Sequence, residues 1–278
     1  MELFIVVIAI LFVQVWGAEN PLHRDEWFDA WLAQINGYAD SASAQSYVLC
    51  VFGPILLFAI LLWFIAQHSY WPLVPVGVMA LLYSFGRGEF SEIVTEYTQA
   101  CYKEDWASGI SRAERLNVDV EGIAENDWDT LHQQLLDEAA YRGFERMFAV
   151  LFWFFVLGPA GALLYRLSFM FNERVEVNTA AKKVLWLIEW PAVRVLGLSF
   201  AMTGNFVGCI SRWRESVLCI ARPTKMTIGQ SVLGALSVDD DVTQSCEVTR
   251  KELSLMDRLF RRTLWFWLGS AAIIIIIS

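Results

Sequence analysis

Apolar residues come in long blocks along this chain, not in one-face stripes. Leu3 to Trp16 is apolar except for Gln14. Tyr47 to Ala66 is the next block, interrupted by Gly53-Pro54, and Trp71 to Phe85 comes after only Gln67 to Tyr70. That spacing predicts an antiparallel helical hairpin. Met147 to Phe171 is the clearest block, with Gly158-Pro159 near its middle. Val184 to Val207 is apolar but carries Glu189, Pro191, Arg194 and Asn205. Thr263 to Ile277 closes the series. A helix that crosses a membrane needs about 20 mostly apolar residues, because the hydrocarbon core is about 30 Å thick. The first and last blocks fall short of that length. The first is expected to be tilted or completed by Gly17 and its neighbours, and the last either to begin near Met256 or to end in the interface. Residue 2 is Glu and no Lys or Arg precedes Arg24, so the first block reads as a retained helix and not as a secretory leader.

The polar segments between the blocks carry helical periodicity as well. After Asn20-Pro21, a cap and then a first-turn proline, Trp27, Phe28, Trp31, Leu32 and Ile35 line one face. Behind Gly88, Phe90, Ile93, Val94, Tyr97 and Cys101 repeat at helical spacing. Asn126 is placed to cap a helix in which Trp128, Leu131 and Leu135 line up, and which meets no Gly or Pro before Gly143. It is expected to run on into the fourth block. Ile210, Trp213 and Val217 form another stripe, as do Leu253, Met256 and Phe260. No useful run alternates with the period of a strand. The predicted fold is therefore all-α: a polytopic membrane protein with about five to six apolar helices, plus amphipathic helices in the polar loops. Residues 184–207 either span or re-enter. The domain reading is one integral membrane domain over 1–278, with polar helical regions at 86–146 and 208–262.

Composition agrees. Of 278 residues, 56% are hydrophobic and only 18% charged, against about 25% in ordinary soluble domains. Disorder is excluded by the aromatic and apolar bulk. A net charge of −9 argues against nucleic acid as a partner, since phosphate binding needs clustered Lys and Arg. Lys and Arg concentrate in 86–146 and 208–262, which places those regions in the cytoplasm if all the blocks cross and the N-terminus is outside. The implied location is a membrane, crossed several times, with the lipid bilayer as the first partner.

The five cysteines, Cys50, Cys101, Cys209, Cys219 and Cys246, show no C-x-x-C spacing and read as free thiols packed as small hydrophobes. His23, His68 and His132 are far apart, so no metal site is expected. The run Asp239-Asp240-Asp241 reads as a solvated loop. No phosphate loop, zinc-protease helix or nucleophile elbow is present.

Two charged groups remain at the membrane boundary. Glu138, Arg142 and Glu145 are spaced i, i+4, i+7, with Arg146 beside them. One reading is a structural ion-pair network along the helix. The other is an anionic or phosphorylated ligand held by Arg142 and Arg146, since arginine forks match phosphate oxygens. Glu189 and Arg194 lie inside an apolar stretch, where an unpaired charge costs about 2.5–3.5 kcal/mol or more. Pro191 between them predicts a broken helix. The expectation is a polar cavity shared by Glu138, Arg142, Glu145, Arg146, Glu189, Arg194 and Asn205. In it the arginines bind anionic groups, and the glutamates orient them or bind an amine.

The block Glu145-Arg146-Met147-Phe148-Ala149-Val150-Leu151-Phe152-Trp153, running on to Gly158-Pro159-Ala160-Gly161-Ala162-Leu163-Leu164-Tyr165-Arg166-Leu167, resembles the AmpE family of bacterial inner-membrane proteins. Glu189-Trp190-Pro191-Ala192-Val193-Arg194 leading to Thr203-Gly204-Asn205 agrees. The resemblance implies a signalling modulator in peptidoglycan recycling that bears on induction of a chromosomal β-lactamase, and so on antibiotic resistance. The same blocks resemble, more distantly, the CobD/CbiB cobalamin-bridge synthases, which use ATP and Mg²⁺. Glu145-Arg146 stands where that family has Asp-Gly, and Tyr141-Arg142 where it has Glu-Asn. A cation at a magnesium position opposes metal binding. The leading expectation is thus a membrane sensor or modulator with no cofactor. The alternatives are an ATP- and Mg²⁺-dependent ligase or transferase, and a scaffold holding a partner protein's helix near Gly158-Gly161.

Overall fold

The computed structural model describes residues 1–16, 22, 24–36, 43–69, 71–86, 90–175, 178–218, 223–236 and 245–277. Gly17, Asn20-Pro21, His23, Gly88, Cys219 and the run 239–241, which figure in the sequence reading, lie outside them. Among the described residues there are helices and no strands. In chain order they are α1 (Glu2–Trp16), α2 (Glu26–Asn36), α3 (Ala44–Tyr47), α4 (Gly53–His68), α5 (Leu73–Ser84), α6 (Phe90–Tyr102) and α7 (Trp106–Arg115). Next come α8 (Trp128–Gly143), α9 (Val150–Arg174), α10 (Thr179–Thr203), α11 (Phe206–Leu218), α12 (Thr224–Leu236) and α13 (Cys246–Ile277). Wider π-helical turns, Val48–Phe52 and Phe144–Ala149, join α3 to α4 and α8 to α9.

By length and composition, three helical stretches can cross a membrane: Ala44–His68, Trp128–Arg174 and Thr179–Thr203. α1 and α5 are shorter apolar helices. The expected number of crossings was higher. Two predicted breaks are absent. Gly53-Pro54 does not end its helix, because Pro54 sits in the first turn of α4, where its missing N–H costs little, and the π turn before it carries the backbone through. Pro191 lies within α10, which runs unbroken past it. The expected passage of the 128 helix into the fourth block does occur. α13 begins at Cys246, well before Met256. The cap of α8 is Asp127, whose carboxylate accepts from the Thr130 amide at 3.2 Å, while Asn126 before it takes φ 65°.

The chain divides into two compact units, Met1–Arg87 with Arg146–Ala192, and Gly88–Glu145 with Val193–Ser278. In the first, α1 buries Ile5, Val6, Ala9 and Ile10 and packs on α5, which packs on α9. Phe28, Leu32 and Ile35 of α2, the face read from the sequence, join Tyr47, Cys50 and Val51 and the α9 residues Leu167, Met170 and Phe171 in one core. Gly158 in α9 has φ 67° and ψ −156°, a region essentially closed to any residue with a Cβ. Together with Pro159 it kinks the helix. α4 buries none of its side chains; Leu56, Leu57 and Trp63 are 62%, 68% and 64% exposed. An apolar helix left so bare is suited to hydrocarbon and not to water.

In the second unit, α12 lies against α8 and α11 through small residues, Thr227, Gly229, Ser231, Gly234 and Ala235. A Cβ at Gly229 would run into the carboxylate of Asp137 on α8, which would have to turn aside. Phe200 meets Phe260 edge-on at 5.2 Å, and Trp267 donates to the Ser199 hydroxyl at 2.8 Å. The cysteines are not all free thiols: Cys101 on α6 and Cys246 at the start of α13 are joined in a disulfide across 145 residues. Cys50 and Cys209 are free and buried. No local spacing announces a pair so far apart.

Candidate functional site

The second unit holds Glu138, Arg142, Glu145, Arg194 and Asn205 of the residues read from the sequence, and the first unit holds Arg146 and Glu189. Within the second unit the firmest group is built on α8. Glu138 is 5% exposed. Its Oε1 accepts from Arg142 Nε at 3.0 Å, one turn along the helix, and its Oε2 pairs with Lys225 Nζ at 2.8 Å. Lys225 comes from the first turn of α12, which Gly229 brings close to α8. The Arg142 and Lys225 side chains stay 23% and 36% exposed, so the cations remain partly open beside a covered carboxylate. Such charge-assisted bonds are short and directional. Helical spacing points to Arg142 and Glu138. It holds no hint of Lys225, which lies far along the chain.

Glu145 is buried in the π turn that comes after α8. Arg194 is 8% exposed, and its backbone carbonyl accepts from Trp213 Nε1 at 2.9 Å. Asn205 is exposed and serves α11: its side-chain oxygen accepts from the Gly208 amide at 3.2 Å, and its own amide bonds the Ala235 carbonyl at 2.8 Å. That is a helix cap.

In the first unit, the Arg146 carbonyl accepts from the Gly86 amide at 2.9 Å. Glu189, 3% exposed, accepts from the Tyr165 hydroxyl at 3.2 Å. One residue before it, the Ile188 carbonyl accepts from Trp153 Nε1 at 3.1 Å. Sequence reasoning missed a deeply buried charge pair of this unit. Arg166 on α9 donates to Asp25 just before α2 at 3.5 Å, with the two side chains 6% and 7% exposed. Tyr83 adds a hydroxyl bond to Asp25 at 3.4 Å and accepts from Trp27 Nε1 at 3.0 Å. Arg174 bonds Asp29. A signal for Arg166 exists in the sequence, as an arginine near the end of an apolar block, but its partner Asp25 is 141 residues away.

Among the described residues, one group places three metal-type ligand atoms close together: Cys101, His132 and Cys246 of the second unit. His132 is fully buried, and its Nδ1 shares a hydrogen bond of 2.7 Å with the Tyr97 hydroxyl. Burial pushes the Tyr97 phenol well above its ordinary value, so it stays protonated.

No family model matches the chain, and no solved structure matches it. Over 175 residues it is 25% identical to the cobalamin biosynthesis protein CobD of Stutzerimonas stutzeri (strain A1501), a match covering 58% of this chain and 55% of that protein. The chain thus spans about half the length of the curated relative it matches. At that level it is an all-α protein of membrane type with a distant likeness to a cobalamin-biosynthesis protein.

Proposed function

We propose that the chain is an integral inner-membrane sensor or modulator of the AmpE type, crossing the membrane several times, in β-lactamase regulation linked to peptidoglycan recycling. It binds an anionic or phosphorylated ligand at Arg142 and Lys225. The observation that carries this reading is Glu138, a buried carboxylate holding two partly open cations at 3.0 and 2.8 Å. Arg142 offers the planar guanidinium fork that matches phosphate oxygens, and Lys225 a compact ammonium charge. Arg146 and Arg194 are candidate anion contacts of the same kind, and Glu145 and Glu189 candidate orienting carboxylates.

The test is a calorimetric titration of the full chain in detergent with a phosphorylated amino sugar. Saturable binding is expected, weakened about tenfold or more in Arg142→Ala and Lys225→Ala, since a hydrogen bond to a charged group contributes about 1.5–3 kcal/mol. The same variants are expected to alter β-lactamase induction in a host that carries the inducible enzyme. Unchanged affinity and unchanged induction in both variants would refute the reading.

The likeness to CobD supports a second reading, a ligase or transferase using ATP and Mg²⁺. Magnesium-dependent ATP turnover by the purified chain, lost in Glu145→Gln or Glu189→Gln, would put it in first place.

A further inference from the structure

We propose that Cys101, His132 and Cys246 form a binding site for a thiophilic divalent cation of the Zn²⁺ type, open to the ion when the Cys101–Cys246 disulfide is reduced. Three elements of the second unit deliver the ligands: α6 gives Cys101, α8 gives His132 and α13 gives Cys246. The ligand atoms of all three lie within 4.8 Å of one another. His132 Nε2 stands 3.6 Å from Cys101 Sγ. Zinc bonds of about 2.3 Å to sulfur and about 2.0 Å to nitrogen, at tetrahedral angles, set those two atoms about 3.5 Å apart. The sulfur–nitrogen edge of the site is therefore already at its working length. Only the two sulfurs must part, and breaking the disulfide releases them.

The surroundings suit the same ion. When His132 Nδ1–H donates to the Tyr97 oxygen, the Nε2 lone pair faces Cys101, and Tyr97 becomes the outer partner that fixes the ring of a metal-bound histidine. Trp128 flanks His132 at 5.7 Å and Trp106 packs on Trp128 at 4.9 Å, so the ring sits among aromatics with little freedom. Two thiolates and one imidazole balance a divalent cation without leaving charge in the core, and sulfur donors select against Mg²⁺ and Ca²⁺. Cys246 is the least covered of the three, so a fourth ligand such as water would enter from its side.

The chemistry balances. Two molecules of a cellular monothiol reduce the disulfide, giving two protein thiols and one oxidised thiol dimer. Each protein thiol then loses a proton as the cation binds, so one ion enters and two protons leave. Reoxidation of the two sulfurs by a disulfide oxidant expels the ion. The site thus exists in one redox state and is closed in the other.

The experiment uses the full chain in detergent, reduced with an excess of monothiol, freed of that thiol without air, and titrated with Co²⁺. One equivalent is expected to bind with the sulfur-to-cobalt charge-transfer band and strong visible bands of a tetrahedral site, and Zn²⁺ is expected to bleach both. The oxidised protein is expected to show neither. Tyr97→Phe is expected to weaken binding about 10–100-fold, as loss of an outer partner does, and His132→Ala to weaken it further. In case the Cys101→Ser or Cys246→Ser chain fails to fold, alkylation of the reduced wild-type chain is read by mass spectrometry. Zn²⁺ is expected to protect Cys101 and Cys246. Absence of the charge-transfer band from folded, reduced protein, or equal labelling of Cys101 and Cys246 with and without Zn²⁺, would overturn the proposal.

Discussion

In the first unit, Asp25 and Arg166 meet at 3.5 Å with both side chains nearly covered, and a tyrosine and a second arginine close around them. In the second unit, the covered carboxylate Glu138 faces cations that remain partly exposed, and the helices nearby are tied by a disulfide. The Asp25–Arg166 pair of the first unit is taken almost wholly out of solvent and held by mutual pairing. The Glu138 group of the second unit leaves its cations partly exposed, in a unit that also carries a covalent cross-link. The two arrangements differ in how they fail. A fully covered pair leaves a stranded charge when one partner is removed, whereas an edge cation turns to solvent.

The most severe break is therefore Asp25→Ala. It removes the Asp25 carboxylate from the covered Arg166 guanidinium, and is expected to cost about 3–5 kcal/mol, read as a loss of thermal stability in detergent. Reducing the Cys101–Cys246 disulfide in metal-free buffer comes next, at about 2–5 kcal/mol, because it restores the freedom of a long loop in the unfolded chain. A chelator-treated melt with and without reductant measures it. At the small end stands Asp257→Asn. Asp257 pairs with Arg261 one turn along α13, with the two side chains 63% and 69% exposed. Its removal is expected to stay within about 0.5 kcal/mol of zero. If Asp25→Ala proved as mild as Asp257→Asn, the contrast drawn between covered and edge charges would collapse.

Much of the architecture was legible in the residues. The apolar blocks and the α2 stripe of Phe28, Leu32 and Ile35 come from local periodicity, and so does the passage of the 128 helix into the fourth block. The candidate site was legible only where its members share a helix turn, as Glu138 and Arg142 do. The expected stripe Glu138, Arg142, Glu145 assumed one helical period throughout. The π turn Phe144–Ala149 adds a residue per turn, which rotates the chain beyond it by about 100°. Glu145 and Arg146 fall within that turn, where the single helical period behind the expected stripe no longer holds. Lys225, Asp25 and the Cys101–Cys246 pair were missed because each reaches its partner across a long stretch of chain, and pairwise spacing carries no record of that. The expected breaks at Pro54 and Pro191 failed for a simpler reason. A proline removes one donor, and a helix can lose a single bond without ending.

The disulfide between Cys101 and Cys246 closes a ring of polypeptide that contains α7 to α12. A protease that nicks this ring once, wherever it strikes, yields two pieces that still migrate as one until a reductant is added. The ratio of joined to parted fragments on a gel is then a direct gauge of how much of the protein holds its sulfurs bonded inside a living cell.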